Sequence, residues 1–129
     1  WLKVFEEYAR WVSPIGMSPR RVARQYAIGD VIFEPDDRVF LMFGSGNRDE
    51  TVFERPDAFD VTRDVTKSIS FGAGPHYCAG AWASRCLIAD VALPKLFAAL
   101  PRLRLAPEGD VTFGGWAFRG PLTVPCAWD

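Results

Sequence analysis

The sequence predicts an α+β fold, with two main helices and several small antiparallel β-sheets. Apolar residues at the start of the chain have helical spacing, and a longer helical stretch runs from Ala79 to Leu100. The segments between and after these helices are short apolar runs bounded by Gly, Pro and Asp, which is typical of short strands. With 129 residues the chain is one domain's worth of protein, so we expect residues 1–129 to form a single domain.

The opening helix is predicted from apolar residues that recur every three or four positions. They are Trp1, Val4, Phe5, Tyr8, Trp11 and Val12. The helix should end near Val12, because the residue before Pro14 is disfavoured in the helical conformation. No capping residue precedes Trp1, so the chain begins within a helix and we expect it to be a fragment.

The next predicted elements are short strands. In chain order they are a loop from Ile15 to Pro19, a strand near Arg20 to Ile28, a turn at Gly29-Asp30, a returning strand from Val31 to Phe33, a turn at Pro35-Asp36-Asp37 and a strand from Arg38 to Phe43. The last strand is nearly all apolar, which is typical of burial on both faces. Gly44-Ser45-Gly46 should end it.

The second half of the chain is predicted to begin with an irregular segment. Residues 47–67 lack a sustained period, so we expect a short helix and then a long meander on the surface. Pro94 should kink the long helix that follows. The remaining strand candidates, which should form small antiparallel pairs, are Leu103 to Leu105, Val111 to Phe113 and Leu122 to Trp128.

Charge and cysteine content limit the partners and the compartment. Fifteen basic and sixteen acidic residues give a net charge of −1, so we expect no nucleic acid or membrane partner. No apolar run reaches the roughly 20 residues of a spanning helix. Three cysteines, an odd number, indicate a reducing compartment, and we expect a cytoplasmic protein. Cys86 and Cys126 are predicted to lie in the core.

The most informative segment runs from Phe71 to Gly80, F-G-A-G-P-H-Y-C-A-G. It places Cys78 just before the long helix and after a glycine-rich loop. The positive end of the helix dipole favours a thiolate, which is the form that binds a metal or acts as a nucleophile. Amide N–H groups directed at the sulfur would also limit the electron density that it donates to a metal.

The pattern F-x-x-G-x-H-x-C-x-G resembles the haem-binding loop of cytochromes P-450, and the whole chain resembles the carboxyl-terminal part of a bacterial soluble member. The resemblance implies haem b (iron protoporphyrin IX) as cofactor, with Cys78 as the axial and only metal ligand. It also implies that Phe71 shields the sulfur, that Gly74 and Gly80 let the backbone approach the porphyrin, and that His76 binds a propionate. The implied fold is the Glu-x-x-Arg helix, meander, cysteine loop, long helix and small antiparallel sheets of that family.

A second motif supports the resemblance. Glu7 and Arg10 lie three residues apart on one helical face and resemble the Glu-x-x-Arg pair that fixes the meander in this family. The family completes the pair with a meander arginine, but the expected position holds Ala58. Arg55 is the candidate replacement.

The resemblance also implies a substrate and an electron donor. Arg20 matches the position that reaches the second propionate, with Arg21 as a possible substitute. Residues expected to line the substrate side are Ile15, Gly16, Met17, Ser18, Ala117 and Phe118. This mainly apolar lining favours a small apolar organic substrate. Arg85, with Arg63 and Lys67, would form a positive patch for a ferredoxin or flavodoxin, or would simply be solvated.

The parent enzyme would therefore be a monooxygenase that hydroxylates its substrate with O2. We expect this chain alone to be inactive, since the segments that carry oxygen protonation and most of the pocket lie outside it. No catalytic residue beyond the haem ligand is predicted, and exposed apolar surface favours self-association. Two alternatives are a haem-free binding or structural module left by truncation and a cysteine hydrolase, which would need His76 as its base.

Overall fold

The computed structural model describes all 129 residues, and it confirms the α+β class. Helix α1 (Leu2–Val12) is followed by four short strands, β1 (Ser18–Arg21), β2 (Tyr26–Ile28), β3 (Val31–Phe33) and β4 (Arg38–Leu41). A helical turn, α2 (Phe43–Gly46), leads into an irregular segment of turns, which we call the meander (residues 47–70). No helix forms within the meander, so the short helix predicted there lies just before it.

Helix α1 forms as its apolar spacing predicts. Phe5, Ala9 and Val12 share the buried face. The helix ends at Ser13, which adopts a left-handed conformation with φ of 48°. The Ser13 N–H donates to Ala9 O at 3.0 Å, and its hydroxyl donates to Arg10 O at 2.9 Å, so Ser13 satisfies two of the last four carbonyls of the helix.

The long helix is continuous but not uniform. It consists of α3 (Ala81–Arg85), a π-helical stretch (Cys86–Ala92) and α4 (Leu93–Ala99). The helix continues past Pro94, and the kink expected there stays a prediction. Pro94 lies at the start of α4, directly after the π-helical stretch, where its missing N–H removes little from the hydrogen-bond ladder.

The strands pair in four separate two-stranded antiparallel sheets, as predicted in kind. The pairs are β1 with β4, β2 with β3, β5 (Arg104–Leu105) with β8 (Cys126–Ala127), and β6 (Thr112–Gly114) with β7 (Gly120–Thr123). Two predicted strands are divided. The stretch Arg20 to Ile28 contributes to two sheets, and Leu122 to Trp128 does the same, because each contains a turn that redirects the chain.

The burial predicted for the apolar strand is wrong. Strand β4 pairs only with β1, and Phe40 and Leu41 remain exposed. Leu87, Val91 and Leu96 of the long helix are exposed as well, whereas its buried residues are Ala81 and Ala89. Only 13 of the 129 residues are buried, so much of the apolar surface has no cover within the chain.

The prediction that Cys86 and Cys126 lie in the core is not confirmed. Cys86 is half-buried, but Cys126 is exposed on the short strand β8, where its thiol donates to Val124 O. All three cysteines are free. No helix in the structure is both long enough and apolar enough to cross a membrane.

Candidate functional site

The predicted pair Glu7 and Arg10 forms a buried ion pair on α1. Arg10 Nε donates to Glu7 Oε2 at 2.8 Å, and Arg10 Nη2 donates to Glu7 Oε1 at 2.8 Å. The two side chains are 1% and 0% exposed, respectively. The planar guanidinium matches the carboxylate with two parallel hydrogen bonds, which is the geometry that a buried ion pair needs.

The third member of this network is Arg63, and the prediction that Arg55 takes this role is wrong. Arg63 Nε lies 3.3 Å from Glu7 Oε1, and its side chain is 8% exposed. Arg55 is 71% exposed and lies near Glu54 and Asp60 instead. Arg55 has a left-handed backbone with φ of 47°, in a turn that directs it to solvent.

Hydrogen bonds hold the Glu7 carboxylate in its charged form. Burial raises the pKa of Glu7, but the hydrogen bonds from Arg10, from the Asp60 N–H and from Arg63 outweigh it and lower the pKa below its ordinary value. The Asp60 N–H donates to Glu7 Oε1 at 2.9 Å. The carboxylate thus receives donors from both α1 and the meander.

Arg10 in turn fixes the path of the meander through backbone carbonyls. Its Nη1 donates to Asn47 O at 2.8 Å and to Pro56 O at 2.9 Å. Its Nη2 donates to Ala58 O at 3.2 Å, and Arg63 donates to the same carbonyl. Ala58, where the family pattern expects an arginine side chain, therefore contributes through its backbone.

Asn47 joins this network to the segment before the cysteine loop. It is fully buried, and its side-chain amide uses all of its hydrogen-bonding capacity. Nδ2 donates to the hydroxyls of Ser13 and Ser70, while Oδ1 accepts from the Ile69 N–H at 2.9 Å and from the Ser68 hydroxyl at 3.2 Å. Sequence reasoning missed Asn47, because nothing in its neighbours predicts that an asparagine in a polar, irregular stretch is buried.

The cysteine loop (Phe71–Cys78) is closed by its own backbone. The Cys78 N–H donates to Phe71 O at 2.8 Å, and a 3₁₀ turn at Gly74–His76 lies inside the loop. Gly72 and Gly74 have φ of 72° and 64°, a conformation that favours glycine. Helix α3 starts three residues after the cysteine, and the Ala81 N–H donates to Cys78 O at 3.2 Å.

Cys78 is exposed at the wall of a cavity of about 540 Å³. The predicted residues His76, Arg20 and Phe71 line the same cavity, so the structure brings together side chains from two distant parts of the sequence, strand β1 and the cysteine loop. Most of the lining is hydrophobic. The full lining is Phe5, Tyr8, Ala9, Pro14, Ile15, Ser18, Arg20, Leu41, Phe43, Ile69, Ser70, Phe71, Gly72, Ala73, His76, Cys78, Ser84 and Ile88.

The two predicted glycines near Cys78, Gly74 and Gly80, differ in backbone conformation and surroundings. A side chain at Gly74 would meet nothing within 4 Å, but its positive φ favours glycine. Gly80 has φ of −86°, and a Cβ there would lie 3.8 Å from Cys78 Sγ. This is an ordinary van der Waals distance, so the structure shows no clash that would require glycine at position 80.

Only part of the predicted substrate lining reaches the cavity. Ile15 and Ser18 line it, whereas Met17 is buried in the protein. Gly16 contacts the C-terminal hairpin instead, and its N–H donates to Ala117 O at 2.9 Å. Ile15 and Phe118 form an isolated β-bridge, but neither Ala117 nor Phe118 lines the cavity, and Phe118 is exposed.

Arg20 and Arg21 are not equivalent. Neighbouring residues of a strand face opposite sides, and only Arg20 lines the cavity. Arg20 donates to the Ser18 hydroxyl at 2.7 Å and to Pro19 O at 2.8 Å. Arg21 is paired with Asp36 at 2.9 Å on the surface.

The positive patch predicted from Arg85, Arg63 and Lys67 does not form. Arg63 is buried against Glu7, and Arg85 is paired with Glu6. Lys67 alone is exposed.

The sequence is similar to those of known proteins. The sequence model described as "Cytochrome P450" matches residues 2–88. Cytochrome P450 130 of Mycobacterium tuberculosis is 40% identical over 122 residues, which cover 93% of this chain and 30% of the relative. The 6-deoxyerythronolide B hydroxylase of Saccharopolyspora erythraea is 37% identical over 105 residues, covering 81% of this chain and 26% of the relative.

A solved cytochrome P450 structure has a similar fold. The structure of P450BioI in complex with hexadec-9Z-enoic acid ligated acyl carrier protein superimposes with a TM-score of 0.87 at 32% identity, covering 99% of this chain and 33% of that one. The chain therefore spans about a third or less of the length of the proteins that it matches.

Proposed function

The chain belongs to the cytochrome P450 family, and from this premise we propose that it is the haem-binding, carboxyl-terminal part of a monooxygenase. Proteins of this family bind haem b through a cysteine thiolate. The observation that carries the proposal is the cavity wall on which Cys78, His76 and Arg20 lie together. No other cysteine of the chain lines this cavity.

The residues at the cavity fit a haem group. A haem presents a flat apolar macrocycle, an iron that takes an axial ligand, and two propionates. The cavity offers a mainly hydrophobic wall, an exposed thiol, and a histidine and an arginine that can bind carboxylates. We assign Cys78 as the axial ligand and His76 and Arg20 as the propionate-binding residues.

Phe71, Gly74 and Gly80 shape the surroundings of the sulfur. Phe71 packs at one end of the loop, with its ring centroid 6.2 Å from that of Phe5 and 6.5 Å from that of Tyr77. Gly74 allows the turn, and Gly80 places no side chain beside Sγ. When bound, thiolate-ligated haem supplies the activation of O2 by favouring cleavage of the oxygen–oxygen bond.

We propose that the intact enzyme inserts one oxygen atom into a small apolar organic substrate. The hydrophobic lining supports this class of substrate. One relative is named as a hydroxylase, and a structural neighbour holds a fatty acid ligated to an acyl carrier protein. Ile15 and Ser18 are the predicted substrate-lining residues that lie at the cavity.

Electrons would come from a redox partner of the ferredoxin or flavodoxin type. An acidic partner would be guided by exposed cations near the cysteine loop, but Arg63 and Arg85 are engaged in ion pairs. Lys67 is the member of the predicted patch that remains free for such a role. The three free cysteines fit a reducing, cytoplasmic location.

We expect the isolated chain to bind haem weakly and to lack turnover. Its small buried core leaves apolar side chains such as Phe40, Leu87 and Phe118 exposed. The rest of a longer protein would cover them, and without it we expect copies of the chain to associate. Light scattering tests this expectation, and a monodisperse monomer would contradict it.

The carbon monoxide spectrum of the reduced, haem-loaded full-length protein tests the proposed function. Thiolate ligation predicts a red-shifted Soret band that disappears in Cys78→Ser. Cys86→Ser and Cys126→Ser are matched controls and should retain the band. If haem does not bind to the full-length protein, the chain is part of a haem-free binding or structural module instead.

A further inference from the structure

Arg85 connects both ends of the cysteine loop to helix α1. Its Nε donates to the carboxylate of Glu6 on α1. Its Nη1 donates to the Tyr77 hydroxyl at 3.2 Å, and its Cζ lies 4.7 Å from the centroid of the Phe71 ring. One guanidinium therefore contacts an ion-pair partner, a hydroxyl and an aromatic face, which are the three kinds of contact that arginine makes and lysine does not reproduce together.

The two aromatic residues held by Arg85 are the ones that fix Cys78. Phe71 O accepts the Cys78 N–H at 2.8 Å, and Tyr77 directly precedes the cysteine. Displacement of either residue moves the backbone from which Sγ projects. The orientation of the sulfur thus depends on a contact made by a side chain seven positions later.

The surroundings of Arg85 favour a positioning role over a docking role. Its side chain is 23% exposed and that of Glu6 is 20% exposed. Hydrogen bonding to Glu6 raises the pKa of Arg85, so the guanidinium keeps its charge at every pH at which the protein is folded. Because Glu6 neutralises this charge locally, Arg85 offers little attraction to an acidic partner.

We propose that Arg85 is a positioning residue for Cys78, holding Phe71 and Tyr77 so that the sulfur faces the cavity. The inference rests on the proposed function only in naming Cys78 as the iron ligand. The competing role, in which Arg85 is a docking cation for the electron donor, predicts different outcomes for the same variants.

Four variants separate these roles. Arg85→Gln and Glu6→Ala each remove one side of the ion pair, and Arg85→Lys keeps the charge but loses the planar fork and the stacking on Phe71. Lys67→Gln removes an exposed cation of the same predicted patch and is the matched control. The residues introduced at positions 6 and 85 are good helix formers, as their places in α1 and α3 require. Arg85→Lys serves if Arg85→Gln fails to fold.

Hydrogen exchange of the haem-free full-length protein gives a readout that is independent of activity. We expect exchange at the Tyr77 and Cys78 amides to be about fivefold faster in Arg85→Gln, Arg85→Lys and Glu6→Ala, since each loses contacts of modest strength. Exchange in helix α1 around Ala9 should be unchanged in these variants. Exchange at the Tyr77 and Cys78 amides should be unchanged in Lys67→Gln. Equal exchange at Cys78 in Arg85→Gln and Lys67→Gln overturns the inference.

The carbon monoxide spectrum of the haem-loaded full-length protein gives the second readout. The fraction with a red-shifted Soret band should fall in Arg85→Gln, Arg85→Lys and Glu6→Ala and remain normal in Lys67→Gln. Val12→Ala, which weakens the core away from the loop, should lower the unfolding temperature but keep the band. This comparison separates positioning from a general loss of stability.

The opposite pattern assigns Arg85 to docking. If Arg85→Gln and Lys67→Gln both slow reduction by the electron donor, while Arg85→Lys, Glu6→Ala and all spectra match the wild type, the inference is wrong. A wild-type protein with no red-shifted band contradicts the proposed function instead, and the exchange measurement still decides whether Arg85 holds the loop.

Discussion

Arg63 donates a hydrogen bond to Glu7 from a position 56 residues further along the chain, with its Nε 3.3 Å from Glu7 Oε1. The bond joins the end of the meander to α1, and both Arg63 and Arg10 donate to the carbonyl of Ala58. A meander without regular secondary structure is thus held in one path by two buried guanidinium groups. That path delivers the chain to the cysteine loop.

Removal of the Glu7 charge should destabilise the protein strongly. Glu7→Gln leaves Arg10 buried without its counter-charge, so we expect the free energy of unfolding at pH 7 to fall by about 3 kcal/mol. Urea unfolding of the two proteins measures the difference. A loss below about 0.5 kcal/mol, the range of an ordinary surface change, would contradict a buried role for this ion pair.

The stability due to Glu7 should depend on pH in one direction. Its pKa is lower in the folded state than in the unfolded chain, where a glutamate titrates near about 4.3. The contribution is therefore complete above the unfolded pKa and is lost as the pH falls through the folded pKa. Between acidic and neutral pH, the free energy of unfolding should change less with pH in Glu7→Gln than in the wild type. Equal pH dependence in the two proteins would contradict a contribution from Glu7.

Arg63 and Arg55 provide a matched test of the third partner. Arg63→Gln should lower the free energy of unfolding by about 1–3 kcal/mol, because it removes a charged hydrogen bond to a buried carboxylate. Arg55→Gln should change it by less than about 0.5 kcal/mol, since that side chain is exposed. Similar losses in both variants would indicate that Arg55 also reaches Glu7 in solution.

Asn47 should be nearly as important as the ion pair that it adjoins. Asn47→Ala leaves the Ile69 N–H without its acceptor and removes the hydrogen bonds from the amide to the Ser13 and Ser70 hydroxyls, for an expected loss of about 2–3 kcal/mol. Asn47→Asp retains the acceptor for Ile69 but loses both donated hydrogen bonds and places a carboxylate at a fully buried position, so it should also be less stable than the wild type. Thermal unfolding measures both losses, and equal stability of all three proteins would contradict them.

Arg20 and Arg21 test the assignment of the propionate site. Arg20→Gln should weaken haem binding by the full-length protein about tenfold, as expected for the loss of a charge-assisted hydrogen bond. Arg21→Gln should leave the affinity within about twofold, because Arg21 pairs with Asp36 and does not line the cavity. A Soret titration measures both, and the reverse order would move the site to Arg21.

Local patterns in the sequence were sufficient for the elements that depend on near neighbours. The ending of α1 follows from Ser13 and Pro14, and the hairpin of β2 and β3 follows from the turn at Gly29. The Glu7–Arg10 pair is set by helical spacing alone. The cysteine loop was also predictable, because its glycines and Cys78 are contiguous in the sequence.

Features that depend on distant contacts were not predictable in this way. The choice of Arg63 over Arg55 is decided by the turn at residues 55–58, which has no periodic pattern to indicate it. Burial of Asn47 depends on partners at Ser13 and at residues 68–70. Likewise, the apolar strand β4 is exposed because burial depends on what packs against a strand, not on its own composition.

X-ray absorption at the iron of the haem-loaded full-length protein tests most directly whether Cys78 is the axial ligand. We predict one sulfur atom in the first coordination shell, present in Cys86→Ser and Cys126→Ser and absent in Cys78→Ser. A wild-type shell of nitrogen and oxygen alone, or a sulfur atom that persists in Cys78→Ser, would contradict the assignment.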